Sequence, residues 1–214
     1  MNILFDLDGT LTDSRPGILA CIKHALERMG EPAPAEEELL RFIGPPLRDA
    51  FAYLLRSPAD AECVTAAIAA YRERFTATGM FENSVYERIP AVLDALAARG
   101  TRLFVATAKP RVFAERILEH FGLAARFEAI YGSELDGRLC DKGEIIAHVL
   151  ASSALRADET VMIGDRHHDV MGAIRNDVFA AGALWGYGSE DELREAGAMA
   201  LLAAPEEALA LART

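Results

Sequence analysis

The chain has 214 residues, room for one or two domains, and 51% of them are apolar, enough for a substantial core and too many for wholesale disorder. Its 33 acidic and 22 basic residues leave a net charge of −11, which disfavours non-specific binding to nucleic-acid polymers or anionic membrane surfaces. No run of about 18 consecutive apolar residues occurs, so no membrane span is expected. The N-terminus lacks the basic-then-apolar pattern of a secretory leader, with Asp6 and Asp8 interrupting it, and a cytoplasmic protein is expected. Cys21, Cys63 and Cys140 are scattered, odd in number and without CxxC spacing, which argues against structural disulfides and against a zinc site.

The apolar run Asn2–Asp6 does not alternate and reads as a fully buried strand. Pro16 to about Met29 carries a helical stripe at Ile18, Ile22, Ala25, Leu26 and Met29, stopped by Gly30 and Pro32-Ala33-Pro34. Glu36–Phe42 and Leu47–Leu55 read as two shorter helices around Gly44-Pro45-Pro46. Ala59–Ala77 reads as a third, with its stripe at Val64, Ile68, Tyr71 and Phe75. Beyond residue 84 the pattern alternates. Helices are expected at Ile89–Arg99, Arg111–Phe121, Lys142–Leu150, His167–Arg175 and Glu190–Ala196. Strands are expected at Leu103–Ala106, Phe127–Tyr131, Thr160–Ile163, Val178–Trp185 and Met199–Leu202, and Ala203–Ala212 reads as a terminal helix. The expected fold is therefore α/β, a parallel sheet with helices on both faces. A discontinuous core of 1–14 and 84–214 would be interrupted by an all-helical insertion at 15–83.

In such sheets ligands bind beyond the carboxyl ends of the strands. Asp6 and Asp8 follow the first strand, Thr107 the second and Asp165 the fourth. Two carboxylates as close as Asp6 and Asp8 repel each other unless a cation or a shared proton separates them. One can serve as a phosphoryl-accepting nucleophile and the other as an acid/base. Gly9 and Thr10 let the chain turn sharply enough to bring the second acid to the first. Asp165 and Asp169 add two more carboxylates, and an all-oxygen set favours Mg²⁺ over zinc despite the neighbouring His167 and His168. Thr107, with the backbone of Ala108 and Lys109 and the helix start after them, suits phosphate oxygens. Lys142 opens a helix, where the dipole does not favour a cation, so an anionic partner better explains it. Lys23, Lys109 and Lys142 are the chain's three lysines.

Asp6-Leu7-Asp8-Gly9-Thr10, Thr107, Lys142 and Gly164-Asp165 with Asp169 together resemble the four-motif signature of the haloacid dehalogenase superfamily of phosphohydrolases. The resemblance spans residues 6 to 169 in the family's order. It implies a Rossmann-like core with a small helical cap, and a Mg²⁺-dependent phosphomonoester hydrolase working through an aspartyl phosphate. Asp6 would be the nucleophile and a metal ligand. Asp8 would be the acid/base, with its backbone carbonyl on the metal. Asp165 would bind the metal with Asp169 supporting it, and Thr107 and Lys142 would hold the phosphoryl group. Gly9, Thr10, Ala108 and Lys109 would line the substrate site. Ala108 departs from relatives that carry Asn or Ser there, which removes one side-chain contact.

Within that superfamily Asp8 argues against a dehalogenase. The insertion's one lysine, Lys23, argues against Schiff-base phosphonate hydrolysis, and Ser14-Arg15-Pro16-Gly17 lacks the hinge histidine of hexose-phosphate mutases. Arg41-Phe42-Ile43-Gly44-Pro45-Pro46-Leu47 resembles the cap's specificity loop, with Arg41 placed to meet a polar group and Gly44 allowing close backbone approach. The pattern is most similar to the phosphoglycolate-phosphatase-like branch, and within it to 5′-nucleotidases. A small phosphorylated metabolite is the expected partner, and the protein is expected to be a monomer or homodimer. A non-catalytic phosphate-binding protein is the reading from another class.

Overall fold

Strand β1 (Asn2–Phe5) is apolar at every position but one, because both its faces are covered. It lies inside a six-stranded sheet with β4 (Arg102–Pro110) on one side and β6 (Thr160–Gly164) on the other. Beyond them run β5 (Ala129–Ser133) next to β4, and β7 (Phe179–Ala183) and β8 (Ala200–Leu202) next to β6. Every pairing is parallel. Phe5 stands opposite Val105 and Ile163, so the chain segments that follow β1 and β6 leave the sheet side by side. The chain builds outward from β1 through β4 to β5, then crosses to β6 on the other side of β1. That reversal of strand order is where an open parallel sheet forms its ligand crevice. The computed structural model describes residues 1–212.

The alternation of side chains along each strand assigns the two faces. Leu4, Phe104, Met162 and Ala180 share one face and pack with Ile145, Ile146 and Val149 of α7 (Lys142–Ser152) and Val170 and Ala173 of α8 (His167–Ile174). Phe5, Val105, Ile163 and Ala181 point the other way and are equally buried, with the Phe127 ring edge-on to Phe5 at 6.4 Å. Helices α5 (Ile89–Ala98) and α6 (Arg111–His120) bury Ile89, Val92, Leu93 and Leu96, and Phe113, Ala114, Ile117 and Leu118. Burying a side chain of this size contributes about 1.5–3 kcal/mol.

The chain divides into two compact units. One is Met1–Asp13 together with the chain from Val85 onward; the other is Ser14–Ser84. The second unit is helical: α1 (Arg15–Arg28), α2 (Glu36–Leu39), α3 (Leu47–Leu54) and α4 (Glu62–Ala77). α1 and α4 lie against each other with Cys21, Ile22, Ala25 and Leu26 on one and Val64, Ala67, Tyr71 and Phe75 on the other. Phe51 of α3 meets Tyr71 edge-on at 6.2 Å. The fit needs glycine at 17, where a Cβ would stand 2.0 Å from the Gly79 carbonyl oxygen.

Element bounds differ from the sequence-based expectation where tertiary pairing decides them. β4 runs to Pro110 rather than Ala106, because pairing with β5 continues at Thr107–Gly132 and resumes, after a register shift, at Pro110–Ser133. β7 stops at Ala183 rather than Trp185, where its pairing with β8 ends at Leu202. The expected Glu36–Phe42 helix tightens after Leu39 into a 3₁₀ turn, and α4 begins at Glu62 because Pro58–Ala61 closes a turn of its own. Two short strands escaped expectation altogether: β2 (Thr12–Asp13) and β3 (Ser84–Val85), which pair where the chain leaves and re-enters the first unit. Two residues are too few to leave a pattern in sequence.

Candidate active site

Asp6 follows β1 and its backbone N–H donates to the Ile163 carbonyl, so the ladder holds its Cα at the sheet's carboxyl edge. Asp165 follows β6 and is fully buried. Asp169, the third residue of α8, is also buried. Its Oδ2 accepts the backbone N–H of Arg166 at 3.1 Å and caps the helix, while its Oδ1 faces inward. One oxygen from each of Asp6, Asp165 and Asp169 lies within 4.8 Å of the others. No histidine or cysteine belongs to this group, nor does the side chain of Asp8.

Lys142 reaches the cluster from the first residue of α7, whose start is capped by Asp141 accepting from the Glu144 N–H. Its buried ammonium lies 2.9 Å from Asp6 Oδ1, 2.7 Å from Asp169 Oδ1 and 2.9 Å from the Ala106 carbonyl oxygen. The anionic partners of this helix-opening lysine are thus the protein's own acids, yet the inward oxygens Asp6 Oδ1 and Asp169 Oδ1 accept no well-formed hydrogen bond, a buried deficit that a cation would meet. Burial pulls the Lys142 ammonium toward neutrality, and Asp169 and Asp6 more than reverse it, so it is held charged. Burial, followed by Asp169 and Asp6, pushes Asp165 well above the usual carboxylate range, and the Tyr187 N–H only partly opposes this. Burial lifts Asp169 to about 6, with Lys142 opposing and Asp6 adding to the rise. Three buried carboxylates against one ammonium leave two negative charges uncompensated, a charge and donor set that fits one hard divalent cation.

Asp8 points elsewhere. Lys109 Nζ lies 2.8 Å from each of its carboxylate oxygens, in an ion pair that is largely buried. Lys109 can take this position because the chain bulges between Thr107 and Pro110. Thr107, buried, accepts the Lys109 backbone N–H on its hydroxyl at 3.3 Å, and the Ala108 carbonyl accepts the Ser133 hydroxyl at 2.7 Å. Gly9 has φ of +83°, and a Cβ there would stand 2.2 Å from Asp165 Oδ2, so glycine is needed on both counts. Thr10, also buried, donates to Asp165 Oδ1 at 3.2 Å. A model of the family "Haloacid dehalogenase-like hydrolase" matches residues 3–183, a span that contains the four carboxylates, both lysines, Gly9, Thr10 and Thr107.

The chain belongs to the haloacid dehalogenase-like hydrolase family. It is similar to a 5′-nucleotidase of Pseudomonas aeruginosa, 51% identical over 193 residues that cover 90% of this chain and 86% of the relative. A tyrosine-protein kinase, PtkA, of Mycobacterium tuberculosis is 40% identical over 189 residues, covering 88% of this chain and 64% of the kinase. Among solved structures, a predicted phosphatase from Clostridium acetobutylicum superposes with a TM-score of 0.91 at 43% identity, covering 97% of this chain and 95% of that one. This haloacid dehalogenase-like chain is a phosphatase.

The first unit brings together Asp6, Gly9, Thr10, Lys142, Asp165 and Asp169, with Asp8 paired to Lys109. Arg41 and Gly44 belong to the second unit. There the Arg41 guanidinium lies over the Tyr53 ring at 4.3 Å and near that of Phe42 at 5.1 Å, and Gly44 has φ of +105°. The His167 and His168 rings lie 3.8 Å apart between centres, tilted by 41°, and His167 Nδ1 lies 2.7 Å from Glu192 Oε1. Gly164, which the sequence placed in the motif with Asp165, leaves room for Asp169, since a Cβ there would stand 2.2 Å from Asp169 Cγ; sequence reasoning missed Tyr187, whose backbone N–H donates to Asp165 Oδ2 at 2.8 Å. Tyr187, 22 residues beyond Asp165, left no signal in the sequence.

Proposed function

We propose that the protein hydrolyses small soluble phosphate monoesters with Mg²⁺ and a phosphorylated Asp6, and that its substrates are nucleoside 5′-monophosphates. The observation that carries this reading is the buried group of three carboxylates held around a single lysine. Asp6, Asp165 and Asp169, with the Asp8 backbone carbonyl, would hold the cation. When bound it supplies positive charge to phosphate oxygens that the carboxylates would otherwise repel.

Asp6 attacks phosphorus, and the bond to the leaving alkoxide breaks as the new P–O bond forms. Asp8 enters this step in its protonated form and gives that proton to the alkoxide, and Lys109 then pairs with the carboxylate that remains. Asp8 then takes a proton from water, whose oxygen attacks the aspartyl phosphate and releases inorganic phosphate with Asp6 restored. Thr107 accepts from the Lys109 N–H and still has its own O–H to donate to a phosphoryl oxygen. Lys142, ion-paired to Asp6 and donating to the Ala106 carbonyl, screens the approach of a dianion to Asp6. The helical unit, with Arg41 and Gly44 on its connector, serves as the substrate-selecting cap.

The nucleotide assignment draws on the P. aeruginosa relative, and 2-phosphoglycolate is the competing substrate. Measuring kcat/KM across nucleoside monophosphates and 2-phosphoglycolate tests it, with the nucleotides expected to be preferred. D6N is expected to lower turnover of an aryl phosphate by about 10³-fold or more. Full turnover in D6N would refute the nucleophile. Wild-type protein that binds phosphate with Mg²⁺ yet releases none from the panel would be a binding protein instead.

A further inference from the structure

Trp185–Gly188 follows β7 and belongs to none of the motifs, yet it folds directly over Asp165. The backbone N–H of Tyr187 donates to Asp165 Oδ2 at 2.8 Å. A Cβ at Gly186 would stand 2.3 Å from Asp165 Cβ and 2.4 Å from the Gly9 carbonyl oxygen. One at Gly188 would stand 2.0 Å from the Asp165 carbonyl oxygen. These neighbours are backbone atoms or the first atom of a short side chain, so none can swing aside. The Trp185 indole N–H donates to the Thr10 carbonyl at 2.9 Å, and the Thr10 hydroxyl in turn donates to Asp165 Oδ1 at 3.2 Å. The loop's other side is tied down by the Tyr187 hydroxyl, which donates to Asp13 Oδ1 at 3.1 Å.

Each oxygen of Asp165 therefore accepts one hydrogen bond, one directly from the loop and one through Thr10. A carboxylate oxygen has two lone-pair directions, so each retains one for a cation. We propose that Trp185–Gly188 is a positioning loop for the divalent-cation site, fixing the direction of the Asp165 carboxylate before a cation arrives; this deepens the phosphatase reading and rests on it. None of the loop's residues is a catalytic residue. They act through Asp165, as outer partners of metal ligands commonly do.

The test is the Mg²⁺ dissociation constant of the intact protein, read from the Mg²⁺ dependence of the melting temperature and from calorimetric titration, beside the melting temperature without Mg²⁺. G186A is expected to weaken Mg²⁺ binding by about 10–100-fold, the usual cost of losing an outer partner of a metal ligand. W185F removes the indole donor and keeps a smaller aromatic ring. It is expected to weaken Mg²⁺ binding by about threefold or more while kcat at saturating Mg²⁺ stays close to wild type. A purely structural loop would lower stability without moving the Mg²⁺ constant. W185F that binds Mg²⁺ as tightly as wild type overturns the proposal, and it decides alone if G186A does not fold. A wild-type protein with no Mg²⁺-dependent shift overturns the metal assignment and this inference with it. Wild-type binding alongside unaffected W185F strikes only the loop.

Discussion

Asp165 stands fully buried beside two other carboxylates, with two neutral donors turned toward it among the described residues. Without a cation its negative charge costs stability, because burial and like charges both disfavour it. D165N keeps the shape, removes one charge, and can still accept a hydrogen bond on its oxygen. The variant is expected to melt about 2–4 °C above wild type in the absence of Mg²⁺, for a relief of about 1 kcal/mol. It should also lose the Mg²⁺-induced stabilisation, worth about 2.7 kcal/mol at a hundredfold excess over the dissociation constant. Thermal melts of both proteins with and without Mg²⁺ check this crossed pattern, and a wild-type response to Mg²⁺ in D165N would break it. At this scale much was legible. Asp6 and Asp165 each stand just past a strand's carboxyl end, and Thr107 at the bulge inside β4, and the position of an acid relative to an apolar run is visible in sequence. The pairing of Lys109 with Asp8 was not. It depends on where a bulge turns a side chain, and the bulge is set by pairing with β5, which is far away in the chain.

Helices are held to one another by groups that periodicity does not report. Glu192 of α9 (Glu190–Glu195) accepts from the Arg166 guanidinium at 2.9 Å and from the His167 backbone N–H at 2.9 Å, joining α9 to the start of α8. Burial alone would raise this carboxyl. The His167 backbone and ring and Arg166 hold it down to about 2 instead. A depressed acid contributes stability above its unfolded value of 4.5 and loses it as pH falls toward 2. E192Q is therefore expected to melt below wild type at pH 7, with the gap narrowing steadily below pH 4.5. A gap independent of pH between 7 and 3 would show that the charge is not what anchors α9. The helices themselves were readable because α7 and α8 bury one stripe each against the sheet. The ends of β4 and β7 were not, since hydrogen bonds to β5 and β8 decide where pairing stops.

At the scale of the molecule, the change from helical stripes to strand–helix alternation near residue 84 carries the division into two units, because an α/β sheet and a helical bundle bury different periods. What no local pattern carries is that β1, separated from β4 by the whole helical unit, lies between β4 and β6. That placement puts Asp6 beside Asp165, and it makes the acid cluster the property of one unit alone. A cation bound there should quiet the segments that hold its ligands and leave the other unit's internal fluctuations as they were. Hydrogen exchange with and without Mg²⁺ is expected to show added protection around residues 6–10, 164–170 and 185–188. No change beyond error is expected in α1, α3 and α4. Protection spread evenly over both units would mean that the cation acts on the whole chain rather than on the three acids and the loop over them.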